Sequence, residues 1–118
     1  MKTNNIVEKK SKAFALRIIR LYQYLCNEKR EFILSKQLLR SGTSIGANVK
    51  EGVYGQTRAD FLTKMSIALK ETSETEYWLE LLYESGYISE PAFFSVSQDC
   101  KELLRLLTMI VKSTKYTL

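Results

Sequence analysis

The chain has no histidine, one proline, five glycines and two cysteines among its 118 residues. Without histidine there is no serine–histidine or cysteine–histidine nucleophile pair. Nor can there be the Glu-x-x-His ligand pairs that hold iron in helical bundles. A phosphate-binding glycine loop is also missing. Gly42-Thr43-Ser44-Ile45-Gly46 lies inside a helical pattern and lacks the Lys-Ser/Thr that would have to follow. An all-carboxylate metal site from Glu51, Glu71, Glu74 and Glu76 is conceivable, but transition metals favour some nitrogen or sulfur donor. The expectation is a protein that is not an enzyme and holds neither metal nor other cofactor.

The scarcity of proline and glycine leaves little turn punctuation and favours a few long helices. No run is long and apolar enough to cross a bilayer. Met1-Lys2-Thr3-Asn4-Asn5 leads into charged residues without the apolar core of a signal peptide. A soluble, cytoplasmic protein without a membrane partner is expected. Cys26 and Cys100 each follow an apolar helical pattern, which favours buried, reduced thiols over a disulfide. The length suits one domain, residues 1–118, with a core large enough to stand without staples.

Periodicity gives four helices. The first spans about 5–28, with Phe14, Ile18, Leu21, Tyr22 and Leu25 on one face. The second spans about 32–52, with Leu34, Leu38, Ser41, Ile45 and Val49. Gly42 and Gly46 sit inside it, each costing up to about 1 kcal/mol against alanine, which points to close packing by a neighbouring helix. The third spans about 57–85, opened by Thr57 as a cap with Asp60 three residues on, and closed by Gly86. Its stripe is Phe61, Met65, Ala68, Leu69, Thr72, Leu79 and Leu82. The fourth spans about 89–113, opened by Ser89 with Pro91 in its first turn, and its last residues are expected to fray. Phe93, Val96, Cys100, Leu103, Leu107 and Ile110 form its stripe. Short connections between amphipathic helices imply an all-α, antiparallel, up-down-up-down four-helix bundle.

Charge is unevenly spread. Residues 1–40 hold ten Lys/Arg and three Glu, whereas residues 71–90 hold six Glu and no cation. On the first helix Lys9, Lys10, Arg17 and Arg20 fall roughly opposite the apolar face. That set is either a solvated surface or a phosphate-binding stripe. Helices 2 and 3 carry a second line each, off the core face: Arg40, Ser44, Ala47 and Glu51 with Asn48 beside them, and Ile67, Glu71, Glu74 and Trp78. Counting outward from the turn at Tyr54-Gly55 predicts Arg40–Glu71 and Glu51–Arg58 pairs. A line that mixes Trp78, Ile67 and paired charges reads either as a subunit interface or as a wide core face with a polar rim.

The central third carries unusual strings: Arg40 to Val49 followed by Glu51, then Ala59-Asp60-Phe61, Lys64 to Glu71, and Glu74 to Leu79. Through these the chain resembles the bacterial four-helix-bundle family of 23S rRNA intervening-sequence proteins, some of whose genes lie in insertions within 23S rRNA genes. The resemblance implies an antiparallel bundle and a ring-like homo-oligomer, most often a pentamer. It also relates the chain to the accessory protein of diversity-generating retroelements, a bundle that works with a reverse transcriptase and binds nucleic acid through basic surfaces. It brings no catalytic residue. Two functions follow as expectations. One is an oligomer that binds RNA or DNA non-specifically through a basic face. The other is a protein–protein interaction or scaffold module, motivated by the acidic stretch and the second stripe.

Overall fold

Four helices account for nearly all of the computed structural model, which describes residues 2–117: α1 (Lys2–Asn27), α2 (Leu34–Val53), α3 (Arg58–Glu84) and α4 (Glu90–Thr117). There is no strand among the described residues. Thr57 opens α3 by accepting the Asp60 amide at 3.0 Å, and Ser89 accepts the Ala92 amide at 3.3 Å at the start of α4. Gly86, at φ +87°, closes α3. The amide of Tyr87 reaches the Leu82 carbonyl and that of Gly86 the Tyr83 carbonyl, satisfying acceptors that a helix end leaves open.

Two ends differ from the sequence expectation. α4 does not fray at 113 but continues to Thr117, because Val111 and Thr114 are buried and hold its last turns down. α2 begins at Leu34 rather than 32, and no side chain at Ile33 caps it. Its exposed amides are taken instead by the buried carboxylate of Glu31, which accepts from Ile33, Leu34 and Ser35. Negative charge at a helix start is favourable, and here it also satisfies three donors.

The predicted apolar stripes meet in one core. Ile18, Leu25, Leu38, Ile45, Met65, Leu79, Leu82, Leu103 and Leu107 are fully buried. Each contributes on the order of 2 kcal/mol of hydrophobic stabilisation. Every helix packs on its two neighbours. The contacts run in reverse numerical order. Gly42 lies against Ile18 and Gly46 against Ser11; Ser41 meets Thr75 while Gly52 meets Lys64; Thr72 meets Cys100 while Arg58 meets Thr117. The two interior glycines do what their cost implied. A methyl group at Gly42 would stand 2.8 Å from Ile18 Cγ2, and one at Gly46 3.3 Å from the Ser11 carbonyl oxygen. Cys26 and Cys100 are both free thiols, but Cys26 is only partly buried. Burial pushes the Cys100 thiol up to about 12, so it is protonated and inert at neutral pH.

Candidate functional site

The second stripe is a polar clamp between α2 and α3. Arg40 pairs with Glu71 at 3.2 Å, as the count from the turn predicted, and also binds Glu74. Glu74 accepts a second hydrogen bond, at 3.0 Å, from the indole Nε1 of Trp78. The Trp78 and Arg40 hydrogen bonds hold the Glu74 carboxyl below its ordinary range. Beneath the clamp the buried Thr75 hydroxyl lies 2.9 Å from that of Ser41. Ser44 donates to the Arg40 carbonyl and Asn48 to the Ser44 carbonyl, so both serve their own helix.

The expected Glu51–Arg58 pair does not form. Glu51 pairs with Lys64 at 2.9 Å, while Arg58 bonds the Thr117 hydroxyl of α4. The reason is register. α3 starts only at Arg58, so each α2 residue finds its α3 partner several positions further along. Arg58 and Lys64 are also six residues apart and point to different sides of the helix.

The four α1 cations expected to form one stripe fall on two lines. Lys10 and Arg17, seven residues apart, face α4. Lys10 pairs with Glu102 at 3.2 Å, and Arg17 pairs with Asp99 at 2.7 Å and caps the Ser95 carbonyl. Lys9 and Arg20, eleven apart, remain exposed and unpaired among the described residues. Half of the expected phosphate-binding set is therefore neutralised within the chain.

The fold sorts charge differently from the sequence. The contacts above gather residues 5–14, 45–71 and 101–117 at one end of a body 46 Å long. That end carries eleven Lys/Arg against five Asp/Glu; residues 15–44 and 72–100 carry six against eight. The basic end includes a line that reading helix 1 alone missed: Lys101, Arg105 and Lys112, all exposed on the solvent side of α4. Its signal was present, since spacings of four and seven place the three opposite Cys100, Leu103 and Leu107. A cleft of about 500 Å³ opens at the same end, between the α2–α3 connection and α4, lined by Phe61, Met109 and Ile110 with Arg58. Among the described residues no group of carboxylates and cysteines gathers as a metal site, and no helix is long and apolar enough to cross a membrane.

A family model of 23S rRNA-intervening sequence proteins matches residues 3–109. A crystal structure of a protein of unknown function from the S23 ribosomal protein family of Bacteroides thetaiotaomicron is similar throughout. It is 53% identical, covers 93% of this chain and 98% of its own, and superposes with a TM-score of 0.91. No curated protein matches the chain.

Proposed function

The chain belongs to the family of 23S rRNA-intervening sequence proteins, and from that membership we propose a non-enzymatic, cytoplasmic, oligomeric protein that binds nucleic acid through a basic surface. The observation that carries the binding reading is the excess of cations at one end of the molecule. Lys and Arg on a surface recognise phosphates without reading sequence, so binding is non-specific and falls steeply with salt. Lys9 and the exposed cations of α4 lie at that end and are available for it, and Arg20 stands exposed on α1 beyond it.

The bundle is read as antiparallel and up-down-up-down, which the reversed order of contacts and the short connections support. Assembly into a ring-like homo-oligomer, the pentamer implied by the resemblance, is assigned to the α2–α3 face. Ile67 and Tyr77 are exposed there beside the partly buried Trp78, and the clamp already pairs Arg40 with Glu71 and Glu74. Ions paired within one chain cost less to bury against another than ions that must find partners across the interface. Several copies would multiply a modest affinity by avidity.

The test is titration of a labelled structured RNA and a labelled duplex DNA, at low and near-physiological salt, on protein of mass known by light scattering. The expected result is a mass of about five chains and an affinity that drops sharply with salt. No binding at low salt removes the nucleic-acid reading. Ile67→Asp should lower the mass with helicity unchanged; an unaltered mass moves the interface elsewhere. A second reading, a protein scaffold, is favoured by residues 72–100, which carry six acids and no cation. Capture of one defined partner that survives reversal of Lys9 and Arg20, by protein that binds neither nucleic acid, would establish it.

A further inference from the structure

We infer that the solvent face of α4 is a track for single-stranded nucleic acid, with Lys101, Arg105 and Lys112 on the phosphate backbone and Met109 and Tyr116 against the bases. This rests on the nucleic-acid reading above and narrows it to one helix and one form of the polymer.

Three features of α4 lead there. First, the three cations have no ion-pair partner among the described residues, and the two acids nearest in sequence are already engaged. Asp99 binds Arg17 and Glu102 binds Lys10, both across the seam to α1. The pairs that neutralise Lys10 and Arg17 thus strip the α4 line of anions. From Lys101 to Lys112 the line runs about 16 Å along the helix with no carboxylate on it. Second, apolar side chains share that line without being buried. Phe94 is 57% exposed, Met109 50% and Tyr116 94%. Third, a shallow depression is lined by Leu104, Arg105, Thr108, Met109 and Lys112, an apolar floor between two cations.

A duplex would satisfy the cations but keep its bases stacked inside. Unpaired bases can lie on exposed aromatic and thioether side chains while the adjoining phosphates reach Arg105 and Lys112, the combination that single-strand-binding surfaces use. A purely acidic polymer such as polyglutamate would answer the charge alone and leave Met109 and Tyr116 without a role.

The experiment titrates a labelled 20-nucleotide single-stranded RNA and a hairpin of the same length. The proteins are the wild type, Lys101→Ala/Arg105→Ala/Lys112→Ala, Tyr116→Ala, and Lys9→Ala/Arg20→Ala, each checked for helicity and mass. The α4 triple variant should bind the single strand at least about tenfold more weakly and lower the salt slope by about 2. Tyr116→Ala should weaken the single strand about tenfold and the hairpin far less. Binding that survives the α4 triple variant but is lost in Lys9→Ala/Arg20→Ala overturns the placement and leaves nucleic-acid binding standing. A hairpin bound as tightly as the single strand, or polyglutamate competing as well as RNA, overturns the single-strand assignment. A triple variant whose mass falls shows α4 to be a subunit contact and overturns the track. A wild type that binds neither RNA at low salt overturns both readings together.

Discussion

The seams that α2 makes with its neighbours are built differently from the seam between α1 and α4 that closes the bundle. Along α2 the contacts are small. Gly42 lies on Ile18, Gly46 on the Ser11 backbone and Gly52 on Lys64 and Met65, while Ser41 meets Thr75 below the Arg40 clamp. Between α1 and α4 there is no glycine, and the polar contacts among the described residues are two ion pairs open to solvent and the bonds from Arg17 to Ser95. The difference teaches which residues set geometry. Missing side chains let backbones approach and fix the register, whereas exposed charges tack together helices whose positions are already set.

Gly42→Ala should have the largest effect. The new methyl group would meet two Ile18 carbons at 2.8 and 2.9 Å, and Ile18 is fully buried and stiff at χ1. The overpacking exceeds the helix-propensity gain, for a net loss of about 2 kcal/mol in denaturant unfolding. A neutral or stabilising result would mean that α1 can move off α2 at little cost, and the contrast would fail. Thr75→Val comes next. It keeps the shape but removes the hydroxyl that meets Ser41 and the Glu71 carbonyl, leaving a buried Ser41 with only a long contact to Leu38. A loss of about 1–1.5 kcal/mol is expected.

These two positions also show how far the sequence could be read. Two glycines inside an apolar period announced a close helix contact, because nothing else explains their cost. Periodicity likewise placed most of the core, from Phe14 and Ile18 to Leu103 and Leu107, but it left out Val7, Ile88 and Val111 and counted Tyr22, which is only partly buried and outside the core. The Arg40–Glu71 pair came from counting away from a turn, but Glu74 was not assigned to Arg40, and Glu51 was matched to Arg58 rather than Lys64. Counting assumes that both helices begin at the turn, and the connection runs on to Thr57. Glu31 was invisible as a cap because it acts two residues ahead of the usual position. The basic end was harder still. Linear charge made α1 the basic element, and only the pairing across the α1–α4 seam shows which of its cations are spent.

Arg40→Ala should cost about 1 kcal/mol at neutral pH, since Arg40 is half exposed but holds two carboxylates that would otherwise repel. Its pH dependence is more telling than its size. In the folded chain Glu74 sits below its ordinary value of 4.5, so its contribution is present above that value and lost as the pH falls through the lower folded one. The variant should therefore show a shallower loss of stability on the acid side, measured by thermal unfolding from pH 6 to pH 3 at fixed protein concentration. An unchanged acid limb would place the titration outside the clamp.

Arg17→Ala should be the mildest, and it tests the other seam. The Arg17–Asp99 contact is short, at 2.7 Å, but the two side chains are 31% and 49% exposed. Water and salt screen such a pair, and ordering two long side chains offsets much of the attraction. A double-mutant cycle with Asp99→Ala should give a coupling of about 0.5 kcal/mol that shrinks towards zero in 1 M salt. The matching cycle of Arg40→Ala with Glu71→Ala should keep more of its coupling, because Glu71 is only 17% exposed. If the α1–α4 pair proved the stronger and the less sensitive to salt, charge would be setting the geometry of that seam. Asp99 and Glu102 would then be held in place as structural partners of α1, and the bare cationic line on α4 would follow from how the bundle closes.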